Sequence, residues 1–263
     1  MKKLLNLILT ILCVSLFTQN AHAQEQDKDS RKLHFMIAPY LWIVNINATN
    51  TVGNVSMPMD ISFGDLFKTM KFAGQAHFEI KQNKWGAILD LTYMNIGEDN
   101  IALQLPPELP LPEASAKYGF KVWMYDFIGT YRLAGNMDNA LEILLGARWM
   151  RQKLDLDIAL GPVELSGGYD EDWLDPIIGA RFYTALGSKW FTSLRGDIGG
   201  FNVGSEFSYY LSGLVGYRIS RVIDIALGYR HMDINYNNGK EGRGLFKFDG
   251  YQTGFLAGLN FRL

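Results

Sequence analysis

Between Ser208 and Tyr236 the chain alternates apolar and polar positions with a period of two. Tyr209, Leu211, Val215, Tyr217 and Ile219 fall on one side, and Ser212, Gly216 and Arg218 on the other. After a break at Ser220-Arg221 the alternation resumes, with Ile223, Ile225, Leu227 and Tyr229 against Asp224, Ala226, Gly228 and Arg230. Such a pattern predicts two strands joined by a tight turn, apolar on one face and holding glycines and charges on the other. The same rhythm sets Trp85, Ala87, Leu89, Leu91 and Tyr93 against Gly86, Asp90 and Thr92, and Leu141, Ile143, Leu145, Ala147 and Trp149 against Glu142, Gly146 and Arg148. It returns in Thr253, Phe255, Ala257, Leu259 and Phe261 against Gln252, Gly254, Gly258 and Asn260.

Divided this way, the chain gives ten candidate strands, at about 33–47, 72–82, 85–96, 117–132, 140–157, 173–186, 190–200, 206–219, 222–237 and 247–263. Short connections, such as Asn83-Lys84 and Ser220-Arg221, alternate with mostly longer ones. An all-β fold follows: a closed antiparallel up-and-down transmembrane β-barrel, with apolar residues toward lipid, polar residues toward the lumen, short periplasmic turns and longer outer loops. Ten strands is the count favoured, with eight or twelve left open by the long loops. Trp85, Tyr93, Trp149, Trp190, Tyr217, Tyr229 and Phe261 form the expected aromatic girdle, since an amphipathic ring sits well at a membrane interface. Two prolines cut across this division, Pro39 in the first strand and Pro176 near the start of the sixth, and each removes a ladder donor. The first strand also reads as apolar on both faces, which leaves its register unspecified.

The segment before the strands fits export. Lys2 and Lys3 precede an apolar run from Leu4 to Phe17, and Ala21-His22-Ala23 offers a small-x-small cleavage site, so residues 1–23 read as a signal peptide. Residues 24–32, QEQDKDSRK, read as a disordered linker, and 33–263 as one outer-membrane barrel domain. The single cysteine, Cys13, lies within the leader, so the mature chain has no thiol chemistry or disulfide. Loss of the two lysines takes Lys+Arg from 25 to 23 against 27 Asp+Glu, which leaves no basic excess for nucleic acid.

In the loops, Ser62-x-x-Asp65 followed by Leu66 and Phe67 predicts a short capped helical turn after a brief strand near Val52–Met57. Its apolar side either caps the barrel mouth or packs on its own strands. Gln104–Pro112 reads as a stiff proline-rich tip, and Leu154–Leu165 as a hairpin extended beyond the membrane.

Chemistry is expected in the lumen. The registers point Glu79, Asp90, Asp126, Glu142, Asp197 and Asp224 inward together with Arg148, Arg181, Arg195, Arg218 and Arg230. A low-dielectric interior holds such charges as pairs, so they either fill the lumen as a salt-bridge network or line a narrow path for small polar solutes or ions. A structural or loop-mediated interaction role is the reading ahead; a narrow pore is the alternative. Partners on either reading are outer-membrane lipid and whatever the outer loops meet. No cofactor motif is legible, and the three scattered histidines His34, His77 and His231 do not make a metal site.

Six stretches resemble a family of small, functionally uncharacterised outer-membrane β-barrel proteins of Gram-negative bacteria: Ala38-Pro39-Tyr40-Leu41-Trp42, Asp60–Leu66, Gly74–Gly97, Leu194–Ser205, Ile225–Tyr236 and Gly254–Leu263. The resemblance implies a barrel in the cell outer membrane and brings no catalytic residue or ligand. His231 with Asp233, and Asp155 with Asp157, are similar in kind to the rim groups of the omptin proteases. The rest of that pattern is missing, so no enzyme is expected.

Overall fold

The computed structural model describes residues 32–102, 114–160 and 163–263. The leader, the linker up to Arg31 and the proline-rich tip at 104–112 lie outside the described residues. Eleven antiparallel strands form one sheet: β1 (His34–Val52), β2 (Val55–Ile61), β3 (Met70–Gln82), β4 (Trp85–Ala102), β5 (Ala114–Gly135), β6 (Asn139–Leu160), β7 (Val163–Leu186), β8 (Trp190–Gly199), β9 (Phe207–Arg218), β10 (Ile223–Asn237) and β11 (Phe246–Arg262). Neighbours in sequence pair throughout β3 to β11, and β11 pairs back onto β1, so ten strands close a ring. The eleventh, β2, pairs only with the far half of β1, Ile46 to Val52. The ring thus has the expected ten members.

Both ends of the described chain and the four tight turns share one end of the barrel, here the terminus end. Leu263 is tied there to Phe35 by paired backbone hydrogen bonds of 2.9 and 3.2 Å. Gly135 shows why such turns need glycine: its φ is 87°, and a Cβ there would lie 1.8 Å from the carbonyl oxygen of Asn139. At the other, loop end, β5, β6 and β7 run well past their neighbours, and the β1–β2 hairpin rises beside them. β7 begins at Val163, ten residues before the sequence division places it, because its first half pairs with the end of β6.

The two prolines sit where the ladder has no use for their N–H. The β1–β11 pairing skips Ala38 and Pro39, and the β1–β3 pairing ends at Pro39. Pro176 accepts from Gly200 on the β8 side, one residue beyond the end of β8, so its missing donor faces no strand.

The connection from β2 back to β3 carries α1 (Phe63–Thr69), capped by the Ser62 side chain. Leu66 of α1 is fully buried, and the helix packs on β1 and β4. It occupies the place where β1 turns from β3 to β2, and there Gln75 Oε1 accepts from the Trp42 amide at 2.7 Å in place of a strand partner.

The two halves of the barrel have opposite polarity. In the terminus half the outward residues are apolar: Phe35, Ile37 and Leu41 on β1, Trp85 to Tyr93 on β4, Leu141 to Trp149 on β6, and Phe255 to Phe261 on β11. Farther along the same strands the outward positions become Asn45, Asn47 and Thr49; Asn95; Arg151, Lys153 and Asp155; and Lys247 and Asp249. The interior inverts with them. The terminus half is lined with charges, while the loop half encloses a cluster that includes Trp42, Ile46, Met94, Val122, Met150, Trp173, Met232, Ile234, Phe246 and Phe248. The expectation of a lumen polar along its whole height therefore holds only for the half inside the apolar belt. Beyond the belt the wall follows the ordinary rule of apolar inside and polar outside. This also resolves β1, whose two apolar faces belong to two different heights.

Candidate functional site

The carboxylates and arginines assigned to the lumen lie on the inward-facing parity of their strands and, Arg230 apart, form three groups. The central group is Asp126 on β5, Arg148 on β6, and Arg195 and Asp197 on β8. Arg148 donates to Asp126 at 2.8 and 3.0 Å and to Asp197 at 3.2 Å; Arg195 donates to Asp197 at 2.8 Å and to Asp126 at 2.9 Å. Period-two alternation brings these side chains to one level because the barrel is narrow enough for β5 and β8 to meet across it. Their side chains are at most 8% exposed, so each carboxylate has exchanged water for guanidinium donors.

A second group lies between this one and the terminus end. Arg181 donates to both Glu142, at 2.8 Å, and Glu79, and Lys81 bridges the same carboxylates at 2.9 and 3.2 Å. His77 stands 3.0 Å from Asp90, which also accepts from the Tyr40 hydroxyl at 2.6 Å. The third group is peripheral. Arg218 donates to the Tyr183 hydroxyl at 3.1 Å and reaches Asp138 of a surface turn at 3.4 Å, while Asp224 pairs with Arg262 at 2.9 Å. Arg218 thus belongs to the rim, and the partner of Asp224 comes from the last strand.

Arg230 is different again. Its nearest carboxylate, Asp90, is 3.9 Å away, its one hydrogen bond runs to the Tyr40 hydroxyl at 3.2 Å, and its Nε and Nη1 have no hydrogen-bond partner among the described residues. Instead the guanidinium lies 4.8 to 5.2 Å from the ring centres of Tyr40, Trp42 and Tyr210. Tyr210 also faces Arg195 at 4.3 Å and Arg148 at 5.2 Å, so one phenol ring meets three guanidiniums.

Sequence reasoning missed Lys81, Arg132, Arg262, Tyr40, Tyr210 and Asp175. Lys81, Tyr210 and Arg262 share the inward parity of residues that were assigned, so alternation alone could have found them. Asp175 could not be found that way, because its partners are in a loop. It is fully buried and accepts from the Ser205 amide and hydroxyl, each at 2.6 Å, and from Ser208 at 3.2 Å. This ties down the short β8–β9 loop, where Phe201 and Asn202 adopt positive φ.

Two layers of buried side chains lie across the interior. The central charge group spans the lumen, and beyond it Met150, Met232 and Ile234 are wholly buried in the apolar cluster. On the terminus side a cavity of about 390 Å³ remains, reaching from Arg195, Arg230 and Tyr210 to His34, Asp138 and Leu263 at the barrel's end. Around this half, eight cations (Lys81, Arg132, Arg148, Arg181, Arg195, Arg218, Arg230, Arg262) face seven carboxylates (Glu79, Asp90, Asp126, Asp138, Glu142, Asp197, Asp224). Among the described residues no group of three metal-ligating side chains occurs.

Outside, the girdle forms two rings. Trp85 with Tyr131 and Trp190 with Tyr217 pack at 4.7 and 4.9 Å at the terminus end. Tyr93 with Trp123 and Tyr125 with Trp149, both at 5.3 Å, mark the other border, with Tyr229 on Phe255 at 5.2 Å. His231 faces outward in that border, its Nε2 3.0 Å from the Tyr209 hydroxyl, and Asp155 and Asp157 lie exposed on the extended hairpin.

These features define a closed up-and-down β-barrel with an apolar outer belt, a charged interior in the terminus half and an apolar interior in the loop half. No protein-family model matches the chain, and no curated sequence does. Solved structures similar to it are outer-membrane β-barrel proteins of Gram-negative bacteria. They include the translocator domain of the autotransporter NalP from Neisseria meningitidis, at 11% identity and a TM-score of 0.45 over 90% of this chain and 92% of that one. The attachment invasion locus protein Ail of Yersinia pestis matches at 12% identity and a TM-score of 0.35 over 88% and 98%. The Pseudomonas putida toluene transporter TodX matches at 11% and 0.32 over 91% and 92%. The architecture stated above rests on the strand pairing itself.

Proposed function

We propose that the protein is an outer-membrane barrel closed to ions, exported by its leader, embedded by the terminus half, and using the projecting loop half as an interaction surface. The observation that carries this reading is the coincidence of two inversions at one height: the outward face turns from apolar to polar where the inward face turns from charged to apolar. A lipid environment around one half and water around the other accounts for both. The belt has a fitting size. From Trp85 to Tyr93 there are eight residue steps. At ~3.3 Å each and a tilt of roughly 40°, they span about 20 Å between Cα atoms, and the border rings extend this toward the ~25 Å of a barrel's apolar band.

The pore alternative draws on the terminus-side cavity, a vestibule that gives water entry from one side. A continuous path would need both the charge layer and the apolar cluster to open. The lipid-level place of His231 and its bond to Tyr209 likewise favour an interfacial role over hydrolysis.

Conductance across a planar bilayer tests the reading. The native protein is expected to give no discrete steps. Arg195→Ala also stays silent, because the Met150, Met232 and Ile234 layer still closes the axis. Regular steps from the native protein would sink the proposal.

A further inference from the structure

We infer that the blind vestibule is a binding site for a small amphiphilic anion, a carboxylate or phosphate head on a short apolar tail, entering from the terminus end. The inference extends the closed-barrel reading, since the vestibule is blind only because the axis is blocked beyond it.

Three observations meet in this cavity. Its volume of about 390 Å³ lies within the range of small-molecule pockets, roughly 300–1,000 Å³. Its lining is mixed: Met36, Ala38, Ala226 and Leu256 of β1, β10 and β11 form an apolar patch, beside Asp224, Arg230 and Arg262 of the same strands and opposite Glu79, Lys81 and Arg181 of β3 and β7. At its inner end stands Arg230, a cation 95% buried and faced by three aromatic rings, whose Nε and Nη1 have no hydrogen-bond partner among the described residues and whose nearest carboxylate is at 3.9 Å.

Arg230 decides the sign of the ligand. Of the other carboxylates that line the cavity, Glu79 is held by Arg181 and by Lys81 at 3.2 Å, Asp224 by Arg262 at 2.9 Å, and Asp138 by Arg218 at 3.4 Å. Asp90 is shared with His77 and Tyr40, so it neutralises Arg230 only in part. A buried, incompletely paired cation favours an anion there. Arg218, nearer the mouth and loosely paired with Asp138 at 3.4 Å, adds to the same field. The apolar wall supplies the rest, because a tail laid along Ala38, Ala226 and Leu256 leaves water while the head meets Arg230.

Titration calorimetry of the full protein in neutral maltoside micelles, with octanoate as the probe, tests this. Octanoate is expected to bind one to one, acetate at least tenfold more weakly, and octyltrimethylammonium not at all. Ala226→Leu fills the apolar wall and leaves every charge in place; it should weaken octanoate at least tenfold. Arg230→Gln, which removes the charge, should do the same, and if that variant fails to fold the Ala226→Leu result decides alone. Equal binding of the cationic probe, or unchanged binding by Ala226→Leu, would overturn the site. Native mass spectrometry of protein taken from its own membrane separates the sources. A co-purified phospholipid displaced by octanoate assigns the head to a lipid, whereas protein that leaves its membrane without bound phospholipid and still binds octanoate assigns a soluble anion. Channel steps together with octanoate binding would remove the closed-barrel reading alone; silence without binding would remove only the site.

Discussion

At the scale of single residues, equal sequence signals carry unequal weight. Arg148 and Arg218 share the inward parity of their strands, and alternation ranks them alike. Arg148 is fully buried between Asp126 and Asp197, whereas Arg218 is 19% exposed and its carboxylate partner Asp138 48% exposed. Removing Arg148 leaves two carboxylates short of a donor in a water-poor core, and Arg148→Ala should cost about 3–5 kcal/mol of unfolding free energy. Arg218→Ala loosens a half-solvated contact and should cost under about 1 kcal/mol. Urea unfolding of the two variants in micelles measures the difference; equal losses would mean that the central group does not support the barrel. The inward residues were legible because a period of two admits only two faces. What was hidden is which of them meet across the lumen, since that depends on curvature and stagger, properties of the closed ring rather than of any strand. Asp175 was hidden for another reason, its partners being the backbone and hydroxyls of a loop.

At the scale of elements, α1 is the clearest case of a local signal that held. Ser62 Oγ accepts from the Asp65 amide at 3.3 Å, the cap that the spacing predicts, and its hydroxyl donates to the Asp65 carboxylate at 2.6 Å. What the spacing could not give is where the helix goes. Leu66 inserts into the apolar cluster at the point where β1 exchanges β3 for β2, so the helix seals a seam in the wall. The Ser62 hydroxyl, followed by Lys68, holds the Asp65 carboxyl below its ordinary value of 3.8. A carboxyl depressed on folding stabilises above its unfolded pKa, so the cap is intact above about pH 4 and weakens as pH falls through the lower, folded value. Ser62→Ala should cost about 1 kcal/mol of local helix stability. Protection of the Leu66 and Phe67 amides, taken relative to their intrinsic exchange at each pH, should therefore fall several-fold in the variant at pH 7 and change little further on acidification. Identical exchange in both proteins would mean that burial of Leu66 alone holds the helix.

At the scale of the whole molecule, the question is what surrounds the apolar belt. Both faces of β1 looked apolar in sequence because the strand crosses from one environment to the other midway, and a pattern read without height averages the two. Height can be tested directly. Leu145 sits at the middle of the belt on β6, outward and 65% exposed, and Asn47 sits outward beyond it on β1. In a soluble barrel both side chains meet water, and arginine at either position is nearly neutral. In a bilayer, Leu145→Arg places a cation at the midplane and should cost about 2–4 kcal/mol, while Asn47→Arg, above the interface, should cost about 0–1 kcal/mol. Unfolding from phospholipid vesicles reads that difference, and repeating it in micelles, whose boundary deforms around a charge, should shrink it. A Leu145→Arg protein as stable in vesicles as Asn47→Arg would place water at the belt. The polarity inversion would then need a cause other than lipid, and the blind vestibule would open on the interior of an assembly rather than on the periplasm.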